Sequence, residues 1–358
     1  MLTIPSVTVH GYMKNFFSNK GVALLMVLWV LMLLTVIVGE FCFAMKTRVN
    51  ITRNFKESTQ AYYIAVAGLN QAIEQTLREL MTPRRLVSVE EEDAEETAVE
   101  WRINADMPPV AFGSGTFETR IENESGKINI NLADRGMLMA MLGSLDMDDE
   151  EKDVIADSIM DWRDTDRNHR INGAENDYYQ SLPEPYDCKD GDFDSKEELL
   201  KVRGVTPEIY EQGLAAYVTV FPKSDVQKRK QRAGKKEFNY NKLNINSIPL
   251  EMWAGFPGMT VELAQDIAAY RAEKDFQSLR EVADIVGPDV YRGISKYLTL
   301  QDSPYFTIRS KGKIPGSRIE EGVTAVVLFD VRMKKKYQVI QWMDDIDHHQ
   351  PGSRLPIS

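Results

Sequence analysis

Between Val22 and Gly39 the chain places 18 uncharged, mostly aliphatic residues in a row. That is about the minimum a helix needs to cross the ~30 Å hydrocarbon core of a bilayer. Lys14 and Lys20 precede the run and set the N-terminus on the cytoplasmic side. The run is longer than the apolar core of a secretory signal, and no small-x-small cleavage site follows it. Instead the helical pattern continues. No proline interrupts Thr47 to Leu80, and Tyr62, Val66, Leu69, Ile73 and Leu77 recur three or four apart. This is the stripe of an amphipathic helix. The pattern predicts one helix over 22–80, ~90 Å long at 1.5 Å per residue. Its first half is membrane-like and its second half lies on a soluble core.

The period then changes from helical to two. After an acidic surface loop at 81–100, VEWRINAD (99–106) and GTFETRIENESG (115–126) alternate apolar and polar residues, as strands do. Strand patterns return only near the C-terminus, in YFTIRSKGKI (305–314), RIEEGVTAVVLFDVR (318–332) and KYQVIQWM (336–343). Helical patterns fill the interval. The expected fold class is α+β: a long N-terminal helix packed on an antiparallel sheet, with a large α-helical domain inserted. The boundaries read as a leader over 1–21, the long helix over 22–80, the first part of the sheet over 81–126, the insertion over 127–300, and the rest of the sheet over 301–358.

Charge sharpens this division. The net charge is -11, and 127–220 alone holds 22 acidic and 10 basic residues, a balance of -12. Such a segment lacks the clustered Lys and Arg that phosphate binding needs. It suits cations or a basic protein surface. Cys42 sits in the apolar run and Cys188 in the acidic segment, so no disulfide framework is expected.

The insertion contains an internal repeat. KININ followed by LADRGMLMAMLGSLDMDDEEKDVIADSIMDWR (127–163) parallels KLNIN followed by SIPLEMWAGFPGMTVELAQDIAAYR (242–271). Each copy has alternating Ile/Leu and Asn, a short helix, a turn, and a second helix ending in Trp-Arg or Tyr-Arg. The second copy resembles a helix-hairpin-helix motif, and LLKVRGVTPEIYEQ (199–212) is a third hairpin-like fragment. In DNA-binding members the hairpin N–H groups hold a phosphate. Here the neighbours of Gly258 include Glu251, Glu262 and Asp266, which favours a packing role. The basic run KSDVQKRKQRAGKKE (223–237) is the contrary signal, and it also reads as an exposed loop.

The N-terminal region resembles type IV pilins and pseudopilins, in which a membrane peptidase cuts after a glycine that ends a short basic leader. The matching junction is Gly21-Val22. Counted from Met13, the leader would be MKNFFSNKG, so the true start is Met13 or Met1. Most members carry a glutamate at the fifth mature position, which pairs with a neighbouring subunit's N-terminal amine; this chain has Met26. A buried carboxylate in lipid is costly unless paired, and a subunit without it fits best at the end of a filament. The whole chain is similar to the minor pseudopilin K family of type II secretion systems. The resemblance rests on ININ (128–131), DWRDTD (161–166), NGAENDYY (172–179), ELLKVRGVTPEIY (198–210) and LNIN (243–246). It implies processing by the prepilin peptidase, methylation, an inner-membrane secretion platform, and a single-pass protein with its C-terminal bulk in the periplasm. It also implies a place at the pseudopilus tip with the other minor pseudopilins, aiding export across the outer membrane, and calcium in the inserted domain.

The segment DWRDTDRNHRINGAENDYY (161–179) is the chemical focus. Counted from Asp164, positions 1, 3, 5, 9 and 12 are Asp164, Asp166, Asn168, Asn172 and Glu175, and position 7 offers the Arg170 carbonyl. This is the ligand order of an EF-hand loop. His169 stands where that loop wants glycine. Asp161, Asp177, Asp187 and Asp190 are further candidate ligands, and Asp192 and Asp194 belong to the second acidic run. An oxygen-rich set favours calcium over zinc or iron. A solvated acidic loop and a pair of catalytic carboxylates remain the alternative uses. No G-x-S-x-G, Walker or H-E-x-x-H pattern occurs, so no enzyme is expected. The competing functional readings are a membrane-anchored helix-hairpin-helix DNA receptor and a calcium-dependent hydrolase.

Overall fold

A computed structural model describes residues 19–81, 101, 103–104, 107–227 and 238–345. Most of the leader, the acidic loop at 82–100 and much of the basic run lie outside them. The chain divides into two compact units, residues 1–59 and 60–358. The first unit contributes the start of helix α1, which runs Asn19–Met81. An 18-residue window of its apolar stretch has mean hydropathy 2.9, and none of that window is buried. Leu24, Met26, Trp29 and Met32 all stand in the open. Such a surface is stable only in an apolar medium or against other apolar helices.

In the second unit the remainder of α1 lies on a five-stranded antiparallel sheet. Its strands are β1 (Val110–Phe112), β2 (Gly115–Asn123), β7 (Tyr305–Lys313), β8 (Glu320–Phe329) and β9 (Tyr337–Asp345), in the order β1-β2-β7-β8-β9. Thus β2 pairs with β7 across the whole insertion, for example Ile121 with Ile308. Ala65, Leu69, Ala72 and Ile73 of the helix pack on Ile121, Phe306, Ile308, Val323, Ala325 and Val327.

The buried helix face is rotated from the one the large apolar residues suggest. Ala61, Ala65, Leu69 and Ala72 are fully buried, while Tyr62, Val66 and Leu77 are half-buried at its margins. Small residues let backbones approach. A Cβ placed on Gly312 of β7 would lie 2.1 Å from the Ala61 carbonyl oxygen and 2.7 Å from the Ala65 nitrogen. The expected strand over 99–106 is also absent at its described positions. Ile103 and Asn104 form a turn, with Asn104 in the left-handed region at φ 63°. Its amide donates to Ile121 O and its side chain to Ser247 Oγ, so it ties β2 to the insertion instead of extending the sheet.

The insertion has its own core and consists of two similar halves. In the first, β3 (Ile128–Asn129) pairs in parallel with β4 (Val218–Thr219). In the second, β5 (Leu243–Asn244) pairs in parallel with β6 (Leu298–Thr299). The first half carries helices α2 (Arg135–Leu142), α3 (Asp149–Arg163) and α4 (Asn176–Gln180). The second carries α5 (Val261–Glu273), α6 (Leu279–Val286) and α7 (Pro288–Ile294). Trp162, Phe193, Trp253, Phe256 and Phe276 are all buried in the shared core.

Candidate metal centre

The acidic loop leaves α3 at its C-terminus. A capping box starts that helix: the Asp148 side chain accepts from the Glu151 amide, and Glu151 answers on the Asp148 amide. At its far end Arg163 donates to the Ile130 and Ala133 carbonyls. In the second half Arg271 donates to the Ile248 carbonyl at 2.6 Å. The halves then diverge. Phe193 follows Arg163 by 30 positions and Phe276 follows Arg271 by 5, so the first half holds 25 more residues at this junction. Those extra residues are the acidic loop. Two ends that the core must already bring together thus anchor it.

Ligand-type oxygens of Asp164, Asp166 and Glu175 lie within 4.8 Å of one another. These are positions 1, 3 and 12 of the expected cage. Glu175 also meets Asp190 and Cys188 within the same distance. Glu175 is only 3% exposed. Both of its oxygens, Asp164 Oδ1 and Asp190 Oδ1 are buried without a hydrogen-bond partner. Burial pushes the Glu175 carboxyl up to about 7, and the charges of Asp161, Asp164, Asp190 and Asp166 push in the same direction. Buried acceptors left without donors cost several kcal/mol unless something compensates them. A hard cation would do so, and this donor set fits one.

The other predicted residues take different places. Asp161 is fully buried and accepts the Arg170 amide at 3.0 Å and its guanidinium. Arg170 also donates to Asp164 Oδ2 at 2.8 Å, so one arginine offsets part of the cluster's charge. A Cβ on Gly173 would fall 1.9 Å from Asp161 Oδ2, so the chain passes close over this pair. Asn168 turns onto Asp166, donating to Oδ1 through both its amide and its side chain. The amide and side chain of Asn172 face Asp157 at 3.4 Å. The Arg170 carbonyl accepts from the Gly173 amide. Asp177 is exposed in α4, and Asp187 accepts from Gln180. Asp192 accepts from the Ser224 amide, and Asp194 pairs with Lys189 and Lys223.

The loop therefore departs from an EF-hand. The entering helix has 15 residues but the exit helix α4 has only 5. His169 is not among the described residues with positive φ; Asp190 is, at 49°. Sequence reading overlooked Arg170 and Asp157 as organisers and Cys188 as a neighbour. An arginine set among the acids was the available signal for the first. Gly21 and Val22 lie in the first turn of α1.

A sheet-packed long helix carrying an inserted helical domain defines a pilin-like subunit. A family model described as type II secretion system (T2SS), protein K matches residues 120–223. A protein of Escherichia coli (strain K12), provisionally named type II secretion system protein K, is 23% identical over 328 residues, 82% of this chain and 92% of that one. The protein K of Aeromonas hydrophila is 25% identical over 221 residues, 56% of this chain and 63% of that one. The fold is also shared with a chain of the GspK-GspI-GspJ complex from enterotoxigenic Escherichia coli. There the TM-score is 0.53 at 16% identity, over 83% of this chain and 99% of that one. Over residues 120–223 the chain matches the type II secretion protein K family, and its relatives and its fold are those of a minor pseudopilin of that system. The DNA-receptor reading gains no support from these relatives.

Proposed function

We propose that this minor pseudopilin caps the tip of a periplasmic pseudopilus and aids export of proteins across the outer membrane, without catalysis of its own. The observation that carries the reading is α1, a single helix whose first part exposes an apolar span and whose last part is fixed to a sheet by small residues. The prepilin peptidase would cut between Gly21 and Val22, the mature N-terminus would be methylated, and the helix would leave the inner membrane through the secretion platform. The related complex joins its protein K to GspI and GspJ, which supports the corresponding minor pseudopilins as partners here. The 25 extra residues of the first half would hold calcium through Asp164, Asp166 and Glu175, with Asp190 beside them. The cation would neutralise carboxylates that otherwise repel one another and would fix the loop's shape.

The test is complementation of a strain lacking its own protein K. The wild-type chain should restore export of a reporter exoprotein, and Gly21→Ala should not, because the leader stays attached. Export unchanged by Gly21→Ala, with the leader still present on immunoblots, would refute the assembly reading.

A further inference from the structure

The sheet and the two halves of the insertion meet around a cavity of about 660 Å³. Its lining takes Arg120 from β2, Arg309 from β7, Lys127 and Lys196 from the first half, and Arg271 from α5. These five cations face three lining carboxylates, Glu122, Glu251 and Asp275, in a chain whose net charge is -11. We propose that this cavity binds a ligand with two or more carboxylates on a carbon skeleton, held by Lys196 and Arg271. A free organic acid and the acidic side chains of an approaching peptide offer the same groups.

Three observations carry this. First, the cations divide into two sets. Glu122 bonds Arg120, Lys127 and Arg309, and Glu124 bonds Lys127 at 2.6 Å. Lys196 and Arg271 form no ion pair among the described residues. Lys196 donates to the Ala215 carbonyl at 3.2 Å, and Arg271 donates to the Ile248 carbonyl at 2.6 Å. An ammonium has three donors and a guanidinium five, so each keeps donors that these carbonyls do not use. Second, both are half-buried. Burial, joined by the charges of Lys127 and Arg309, brings the Lys196 ammonium down to about 8 against the pull of Glu124 and Glu122. Burial also lowers the Arg271 guanidinium, an effect that Asp275 offsets in part. A charge drawn out of water is costly unless paired, and an entering anion pairs it. Third, the wall is not cationic throughout. Ala216, Pro249, Leu250, Ala268 and Ala272 line the same cavity, and Leu250 is 38% exposed. A bare inorganic anion would leave that apolar surface wet. A carbon skeleton covers it while its carboxylates reach the cations.

The dimensions agree. The cavity lies within the roughly 300–1,000 Å³ of small-molecule sites. Lys196 also lines a neighbouring cavity of about 250 Å³, together with Lys127 and Arg309. The cationic surface therefore continues beyond the first cavity, which gives a second carboxylate a place. The site stands apart from the acidic loop and does not depend on the calcium reading.

The test uses the full chain in detergent micelles, dialysed free of small anions and titrated calorimetrically at low salt. The probes are glutarate, inorganic phosphate and a blocked peptide, acetyl-Glu-Ala-Glu-amide. Glutarate or the peptide should bind at one equivalent, and added salt should weaken it. Tighter binding of glutarate identifies a free acid as the ligand, and tighter binding of the peptide identifies an acidic segment. Phosphate should bind at least about tenfold more weakly than the better of the two, since it covers no apolar wall. Lys196→Met should weaken the better probe by roughly tenfold or more, as loss of a charge-assisted hydrogen bond does. Without a probe it should melt no lower than wild type, because it removes a cation that Lys127 and Arg309 repel. Arg271→Lys keeps the charge but loses the planar fork, and it should weaken binding as well. Lys334→Met, exposed on the β8–β9 turn, should leave it unchanged. The proposal is overturned if neither carboxylate probe binds the wild-type chain, a result that needs no variant to fold. Phosphate binding as tightly as both carboxylates, or wild-type affinity in Lys196→Met, overturns it too.

Discussion

Phe193 and Phe276 occupy equivalent places in the two halves of the insertion, each clamped through its backbone by an asparagine. Asn131 accepts the Phe193 amide at 2.7 Å and donates to the Phe193 and Val220 carbonyls at 3.1 and 3.0 Å. Asn246 accepts the Phe276 amide at 2.8 Å and donates to the Phe276 carbonyl at 3.1 Å. The asparagines of the ININ and LNIN signatures are therefore clasps that join the start of each half to its later part.

Replacing Asn131 with alanine should destabilise the insertion by at least about 2 kcal/mol, because it strands buried backbone groups. Asn246→Ala should cost less, since its side chain holds one carbonyl fewer and is less buried. Urea midpoints of the two variants, read by tryptophan fluorescence, check both the size and the order. Equal midpoints to wild type would mean water replaces the clasp without penalty.

This duplication was legible in the sequence only in part. The first 30 or so residues of each half share one pattern of Ile/Leu-Asn alternation, short helix, turn and second helix. The later parts do not, because the 25-residue loop displaces them and their local structures differ. Ser195 and Glu198 form a capping box on a 3-10 turn, while Ser278 and Glu281 form one on α6. The long helix and the C-terminal strands were legible from period alone. The helix's buried face was not, because alanines and glycines carry no strong hydropathy signal although they set the closest contacts. In the acidic loop, spacing identified Asp164, Asp166 and Glu175 as a group. It did not reveal that Asn168 and Asn172 are drawn to other carboxylates, since Asp157 approaches only through the fold of α3.

The close contact of α1 with β7 predicts a steep steric response. Gly312→Val should lift the helix from the sheet and cost about 1–3 kcal/mol or more, the usual range for overpacking. Gly316→Val, at a turn where a Cβ meets nothing within 4 Å, tests backbone strain without the clash, since its φ is 78°. Thermal unfolding should rank Gly312→Val as the more damaged. The reverse order would mean the helix can slide without cost.

An acid limit follows from the junction between sheet and insertion. Glu122 bonds Arg120 at 2.7 Å, Arg309 at 3.0 Å and Lys127 at 3.3 Å. Burial alone would raise its carboxyl, but Lys127, Arg309 and Arg120 together outweigh that and hold it at about 2. In the unfolded chain it titrates near 4.5. Between these values the unfolded chain binds more protons, so stability present above about pH 4.5 is lost as pH falls toward 2. Glu122→Gln should lower stability at pH 7 and flatten its slope below pH 4.5. An unchanged slope would place the acid sensitivity elsewhere.

The calcium proposal makes its own thermodynamic demand. A cation bound only by the folded chain stabilises it by RT ln(1 + [L]/Kd), about 2.7 kcal/mol at a hundredfold excess over Kd. Adding calcium to the chelated full chain should therefore raise its melting temperature, and Asp164→Asn should reduce that rise. Gly173→Ala touches no cation-facing oxygen. Its new Cβ would meet Asp161 Oδ2 at 1.9 Å and push apart the Asp161–Arg170 pair that frames the cluster. It should weaken calcium binding through geometry alone, while Asp177→Asn, at an exposed position outside the cluster, should leave it unchanged. Calorimetric titration distinguishes the three. If Asp177→Asn weakens binding as much as Asp164→Asn does, the ion is held by the loop's general charge and not by the group built around Glu175.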